Sequence, residues 1–326
     1  MSNAGPGEPS PLPGVRLPEG SLVARLVERV GGEPDEACRG RSLRWIVPPE
    51  GEHDASCLVP LWTSRHLERV RESEAVVLTS PKLGERLKPG ARWLHEHPLW
   101  ALSGLLEPLD EVVEVGDGGA SLAYVEAGAE LHSSVRLGPF AVVRAGARVG
   151  EGCSIEAHAV IYPRVALGRR VNVGAGAVLG RPGFGWAPGP GGALRRVPHL
   201  GGVLIEDEVD IGPGATVDAG TLTPTWVGRG AKLDAHVHVA HNVRIGPGVL
   251  VAAQAGFAGS VELGARVLVG GQAGVADHVR VGEGARLAAK AGVVGNIPPF
   301  TAVAGYPAVP RWQWLRAMAR LFGRRP

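Results

Sequence analysis

The stretch Leu233-Asp234-Ala235-His236-Val237-His238-Val239-Ala240-His241-Asn242-Val243-Arg244-Ile245-Gly246 decides the fold. Leu233, Val239 and Ile245 stand six apart, and the residue four beyond the first two, Val237 and Val243, is β-branched. The phase continues downstream through Val251, Phe257, Leu263, Val269, Val275, Val281, Leu287 and Val293. Upstream it slips by four residues near Thr223 to Val227, then holds at Val217, Ile211 and Ile205. Beyond a Gly/Pro-rich break at residues 180–202 it runs from Leu179 back to Val125. A period of six fits neither a 3.6-residue helix nor an alternating strand. It fits short strands joined by tight corners, three hexads closing one triangular coil of a parallel β-helix. Residues 18 apart then share a position on successive coils, about 4.8 Å apart along the axis. Glycine often follows the aliphatic residue (Gly138, Gly150, Gly246, Gly264), and is expected to supply the φ values of the corners.

Composition agrees with a mainly β protein. Of 326 residues, 49 are Gly; 44% are hydrophobic but only 5% aromatic, so Val, Leu, Ile and Ala must build the core. Net charge is +2 from 34 basic and 32 acidic residues, and no Lys/Arg run forms a nucleic-acid footprint. Cys38, Cys57 and Cys153 are scattered without metal or disulfide spacing, which points to a reducing cytoplasm. Residues 1–14 read as a disordered tail without a secretory signal, and no apolar run approaches the ~20 residues of a membrane span. A soluble cytoplasmic protein is expected.

The hexad does not cover the ends. Residues 15–118 read as a small α/β domain, with a helix over Ser21 to Val30 capped by Ser21 and stopped by Gly31-Gly32. Strands are expected at Leu43 to Val47 and Ala75 to Thr79, and mostly helix from Trp93 to Leu106, interrupted by Pro98. The prism takes residues 119–306. Residues 307–326 read as a C-terminal helix with an apolar stripe (Trp312, Leu315, Met318) and a basic remainder that includes Arg311, Arg316 and Arg320.

His241 lies two places past the inward Val239, at a corner, and Gly259 holds the same position one coil later. An imidazole beside a peptide N–H without a side chain is minimal equipment for acyl transfer: the base takes the nucleophile's proton and the amide receives the oxyanion. The other reading is a solvated corner histidine above an ordinary corner glycine. Asp234, seven residues earlier, is either an orienter reaching across a corner or subunit boundary, or a solvated acid. Asp277 and His278 fall on the edge of His241 and are read as substrate contacts or plain exposure. His236 and His241 form an H-x4-H pair, but zinc would need a third ligand, and His199 is the only upstream candidate. No metal is expected. The loop Gly180-Arg181-Pro182-Gly183-Phe184-Gly185-Trp186 offers Phe184 and Trp186 to a ligand groove, or is a surface excursion.

Together these residues resemble the UDP-3-O-(3-hydroxyacyl)glucosamine N-acyltransferase family of lipid A biosynthesis, from about residue 15 to 320. The resemblance rests on Gly183-Phe184-Gly185-Trp186, Ala240-His241-Asn242-Val243, the run Ala252 to Ser260, and Gly270-Gly271-Gln272. It implies a left-handed prism, a homotrimer with sites between subunits, and an acyl chain delivered on the phosphopantetheine of acyl carrier protein, with no other cofactor. It implies His241 as base and the Gly259 amide as oxyanion donor toward the 2-amine of UDP-3-O-acylglucosamine. His278, Asn242, Gln254, Phe184 and Trp186 become substrate contacts, and Arg311, Arg316 and Arg320 carrier-docking residues. The N-terminal domain becomes uridine-binding. Three departures stand out. The family's arginine in I-D-R-G-A-L is Ala219 here, its I-D-N is Leu233-Asp234-Ala235, and the two uracil-stacking aromatics become Cys57 and Thr63, leaving Trp62 nearest. The alternatives are a paralogue with another amino-sugar acceptor, or a metal-dependent hydratase or non-catalytic trimeric scaffold on the same prism.

Overall fold

In the computed structural model, residues 15–109, 122–188, 190–305, 316 and 320 are described. The chain divides into two compact units, Met1–Glu114 and Val115–Pro326. The expected tail over residues 1–14 and the terminal-helix residue Arg311 lie outside the described residues, whereas Arg316 and Arg320 are helical and exposed.

The first unit is built on a six-stranded mixed sheet in the order Val15–Leu22, Ser42–Ile46, Cys57–Leu61, Val76–Thr79, Arg92–Leu94, Glu33–Pro34. Cys57–Leu61 and Val76–Thr79 are parallel neighbours buried along their whole length, which is why they read as near-continuous apolar runs. Two local expectations are corrected. Ser21 is not a helix cap: it lies within the first strand, which ends at Leu22, its hydroxyl donates to the Pro18 carbonyl, and the helix runs Val23–Val30. Trp93 is a buried strand residue, and Pro98 begins the helix Pro98–Leu106 instead of interrupting one. At the first helical position proline loses no hydrogen bond and its fixed φ suits the turn.

The second unit is the three-sided parallel prism. Its first face runs from Tyr124–Val125 to Gly292–Val293, its second from Glu130–Leu131 to Arg280–Val281, and its third from Arg136–Leu137 to Ala302–Val303. Val239 pairs with Phe257, Ile245 with Leu263 and Leu233 with Val251, so the stacking of positions 18 apart is observed. From Leu137 onward the hexad residues are at most 9% exposed, and the small residues four places on (Ala141, Ala147, Ala159) are fully buried. Each coil thus caps the apolar interior of the next, and the backbone ladder supplies the hydrogen bonds that burial demands.

The corner geometry differs from the expectation in one respect. Positive φ falls not on the residue after the aliphatic one but three places past it, and often on non-glycines: Phe140, His158, Asn242, Gln254, Ser260, His278 and Lys290. The glycine directly after the aliphatic residue serves close approach. A Cβ on Gly150 would stand 2.3 Å from the Gly168 carbonyl oxygen of the next coil.

Both irregularities of the repeat leave the prism at the same corner, between the first and second faces. Leu179 pairs with Val217 across the first excursion, and Val217 with Val239 across the second. The first contains a small hairpin in which Trp186–Pro188 pairs with Leu194–Arg196. The two are clipped together where Leu200 N–H donates to Thr221 O at 2.9 Å and Gly201 N–H to Gly220 O at 2.8 Å.

Candidate active site

His241 occupies the next coil at that corner, half-buried. Its ring lies over Gly259: a Cβ at 259 would stand 2.5 Å from its Cε1 and 2.8 Å from its Nε2, so no side chain is possible there with the imidazole in place. The amides flanking Gly259 are used by the ladder, Ala258 to Val275 O at 3.0 Å and Ser260 to His241 O at 2.9 Å. Among the described residues the Gly259 amide has no such partner. The His241 imidazole thus stacks on the Gly259 backbone of the next coil, as the 18-residue spacing predicts.

Asn242 fixes the imidazole's tautomer. Its Oδ1 accepts from Thr221 N–H (3.1 Å) and its Nδ2 donates to the Thr223 carbonyl (3.1 Å), two backbone partners that allow one amide orientation. The His241 Nδ1 lies 3.2 Å from that Oδ1, which can only accept, so Nδ1 carries the proton and the Nε2 lone pair is left open. The Asn242 amide N–H is held by Thr225 Oγ1 at 2.9 Å, and Thr225 is fully buried. Asn242, expected as a substrate contact, has its amide committed to holding the base. That orienting role was assigned to Asp234 in one reading of the sequence. Asp234 sits at the corner between the third and first faces, exposed, accepting from its neighbour Ala235 N–H (2.7 Å) and from Ala253 N–H (3.1 Å). Within the chain it is not brought to His241.

The remaining expected residues divide between the same two corners. His278 stands exposed on the His241 edge, its N–H donating to Gly259 O at 3.0 Å. Gln254 is exposed on the Asp234 corner, where its Oε1 accepts from Gln272 Nε2 at 2.7 Å. His236 shares that corner, so the H-x4-H pair does not converge. Phe184 is 86% and Trp186 49% exposed on the first excursion. In the N-terminal unit, Cys57 is fully buried and its thiol is pushed up by burial, while Trp62 is exposed.

Sequence reasoning left two features unplaced. The first excursion brings His199, 8% exposed, against His241, with ring centroids 5.0 Å apart and planes tilted by 52°. Burial, and secondarily the charge on His241, push the His199 imidazole below its usual range. Beneath this lies Asp218, 1% exposed, with Arg181 Nε 2.8 Å away as an ion pair that lacks hydrogen-bond alignment, and His238 Nε2 at 3.9 Å. Burial raises the Asp218 carboxyl despite Arg181 and lowers the His238 imidazole, whose Nδ1 meets Thr216 Oγ1 at 2.7 Å. A signal existed for both: the break after Leu179 and the slip after Val217 follow successive inward residues of one face, and so had to emerge at one corner.

The repeat has counterparts among known proteins. The bacterial transferase hexapeptide (six repeats) family matches residues 128–162, 146–181 and 224–259, with the excursions falling between the last two. The prism is a hexapeptide-repeat β-helix. UDP-3-O-acylglucosamine N-acyltransferase of Anaeromyxobacter dehalogenans (strain 2CP-1) is 46% identical over 190 residues, 57% of this chain and 54% of that protein. The protein of the same name from Azorhizobium caulinodans is 52% identical over 155 residues, 48% of this chain and 43% of its own length. The chain thus matches about half the length of these curated relatives. A solved UDP-N-acetylglucosamine acyltransferase from Campylobacter jejuni superimposes with a TM-score of 0.52 at 26% identity, covering 63% of this chain and 84% of that one. The expected fold class, a left-handed parallel β-helix behind a small α/β unit, agrees with these neighbours. No described helix is long and apolar enough to cross a membrane.

Proposed function

We propose that this hexapeptide-repeat protein transfers a 3-hydroxyacyl chain from acyl carrier protein to the 2-amine of UDP-3-O-acylglucosamine. The carrying observation is the His241 imidazole lying over Gly259 with its Nδ1–H committed to Asn242. Two relatives 46% and 52% identical bear the name of that activity. In the reaction, His241 Nε2 takes a proton from the acceptor amine as its nitrogen attacks the thioester carbonyl carbon. The Gly259 N–H receives the oxyanion of the tetrahedral intermediate. Collapse re-forms the carbonyl as an amide and breaks the C–S bond, and the departing thiolate takes the proton back from His241. The acyl chain arrives on phosphopantetheine, and the mechanism asks for no other cofactor.

The finer roles belong to the same proposal. His278 on the His241 edge and the exposed Phe184 and Trp186 of the first excursion would contact substrate. Asp234 and Gln254, on the next corner, would complete the site only from a neighbouring subunit, which is the reason to propose a homotrimer. Arg316 and Arg320, with Arg311, would meet the acidic carrier protein by complementary charge, in the cytoplasm. Trp62 would offer its exposed ring to uracil, since buried Cys57 cannot stack on it.

The test is an assay of the purified protein with UDP-3-O-acylglucosamine and a panel of acyl carrier thioesters. His241→Ala should lower kcat by at least about 1,000-fold, as loss of a general base together with its fixed geometry implies. Turnover of another amino-sugar nucleotide in preference would support the paralogue. Stoichiometric zinc in the purified protein would favour the hydratase, and a His241→Ala variant that still transfers acyl chains would remove the mechanism.

A further inference from the structure

The two excursions converge on one buried side chain with no use in the reaction as drawn. His199 is 8% exposed, and its Nδ1 is buried without a hydrogen-bond partner among the described residues. A buried polar nitrogen left unpaired costs stability that an apolar side chain of similar size would not. The space around the ring is tailored on both sides. A Cβ on Gly185 would fall 2.7 Å from His199 Cε1. One on Gly183 would fall 3.1 Å from His199 Nε2 and 3.0 Å from His241 Cβ. The turn over residues 183–185 therefore closes on both histidines at once. The His199 backbone is anchored next door, where Leu200 and Gly201 clip the second excursion through Thr221 and Gly220.

We propose that His199 is a positioning residue for His241: a neutral imidazole, held by the excursion, that fixes the base over Gly259 and permits catalysis only while both rings are uncharged. This rests on the reading of His241 as the base. A cationic ring 5.0 Å from His241 would oppose the second positive charge that His241 acquires when it takes the amine's proton. The charged and titratable groups around His199 are His241, Asp218 and Arg196, with Arg181 and His238 gathered on Asp218. Protonation would be helped by the Val197 backbone and the nearby Asp218 carboxylate, but burial and the charge on His241 act against it more strongly. The second imidazole is thus an acid-sensitive support for the first.

The experiment compares the full-length protein with His199→Gln, His199→Ala and His241→Ala. Gln fills most of the space and cannot become cationic; Ala empties it. The acid limb of log kcat/KM against pH should have a limiting slope near two in the parent protein and near one in His199→Gln. His199→Ala should lower kcat by about 10- to 100-fold with little change in KM, the scale of a misplaced catalytic group. A slope of two persisting in His199→Gln would overturn the proposal, as would a His199→Ala enzyme with the parent's kcat. Should His199→Ala fail to fold, the slope in His199→Gln decides alone. A second readout needs no turnover. In NMR spectra of histidine-labelled protein, the His199 resonance should titrate below the ordinary range and move upward in His241→Ala. An unmoved resonance overturns the coupling of the rings. Loss of the slope effect alongside a fully active His241→Ala would instead strike at the base itself.

Discussion

Two corners of the prism share a backbone and differ in what they can do. At the corner between the third and first faces, the position two past the inward residue reads Ala235, Ala253, Gly271, Ala289 on successive coils. At the corner between the first and second faces it reads His241, Gly259, Asp277. The next residue has positive φ at both: His236, Gln254, Gln272 and Lys290 on one, Asn242, Ser260 and His278 on the other. At the regular corner, Gln254, Gln272 and Lys290 donate their N–H to a carbonyl of the coil below (Ala235, Ala253 and Gly271), and their side chains stay exposed. Asn242 cannot do so, because the coil below is lengthened by the second excursion. Thr225 Oγ1 takes its N–H, and its side chain turns onto Thr221 and Thr223. The hexad supplies a rigid frame at every corner; extra chain inserted beneath one of them converts it into a half-buried pocket with an oriented imidazole.

Breaking that difference should have graded consequences. Replacing Asn242 by Ala removes the acceptor of the His241 Nδ1–H and frees the ring to the wrong tautomer. A loss of about 100-fold in kcat is expected, whereas Lys290→Ala at the regular corner should stay within about twofold of the parent. Thr225→Val leaves the part-buried Asn242 backbone N–H without its acceptor. Unfolding measurements should show a loss of about 1–3 kcal/mol, with a smaller fall in kcat than Asn242→Ala. The gentlest change concerns pH. The folded-state pKa of His199 lies below its unfolded value, near 6.5, so the unfolded chain binds the proton first. The stability associated with its neutral form is complete above that value and is lost as pH falls through it toward the folded pKa. Thermal unfolding from pH 7.5 to 5.5 should therefore show a shallower decline in Tm for His199→Gln than for the parent protein.

What the sequence disclosed and what it withheld follow from the range of the forces involved. The hexad is local: each inward residue is fixed by its own strand, so phase, faces and the stacking of His241 with Gly259 could all be read by counting. The α/β unit was less legible, because Trp93 and Pro98 carry helix and strand signals that only the sheet beneath them resolves. The excursions were least legible. Nothing within residues 180–202 says that His199 will fold back on His241, since that contact depends on the clip from Leu200 to Thr221 in the second excursion. Asp218 precedes Ala219, where the family that the sequence resembles has arginine. The structure places Arg181, from the strand paired alongside, next to its carboxylate.

Gly259 and Gly271 provide the sharpest comparison, since both stand two past an inward residue and at different corners. A Cβ at 271 would meet only the Ala253 carbonyl oxygen at 3.4 Å, whereas at 259 it would enter the His241 ring. The decisive measurement is kcat for acyl transfer by Gly259→Ala and Gly271→Ala, each checked for folding by its Tm. With the base seated over Gly259, the first should lose about 100-fold or more while the second stays within about twofold. Equal activity in the two variants would contradict a reaction centred on His241 and the amide beneath it.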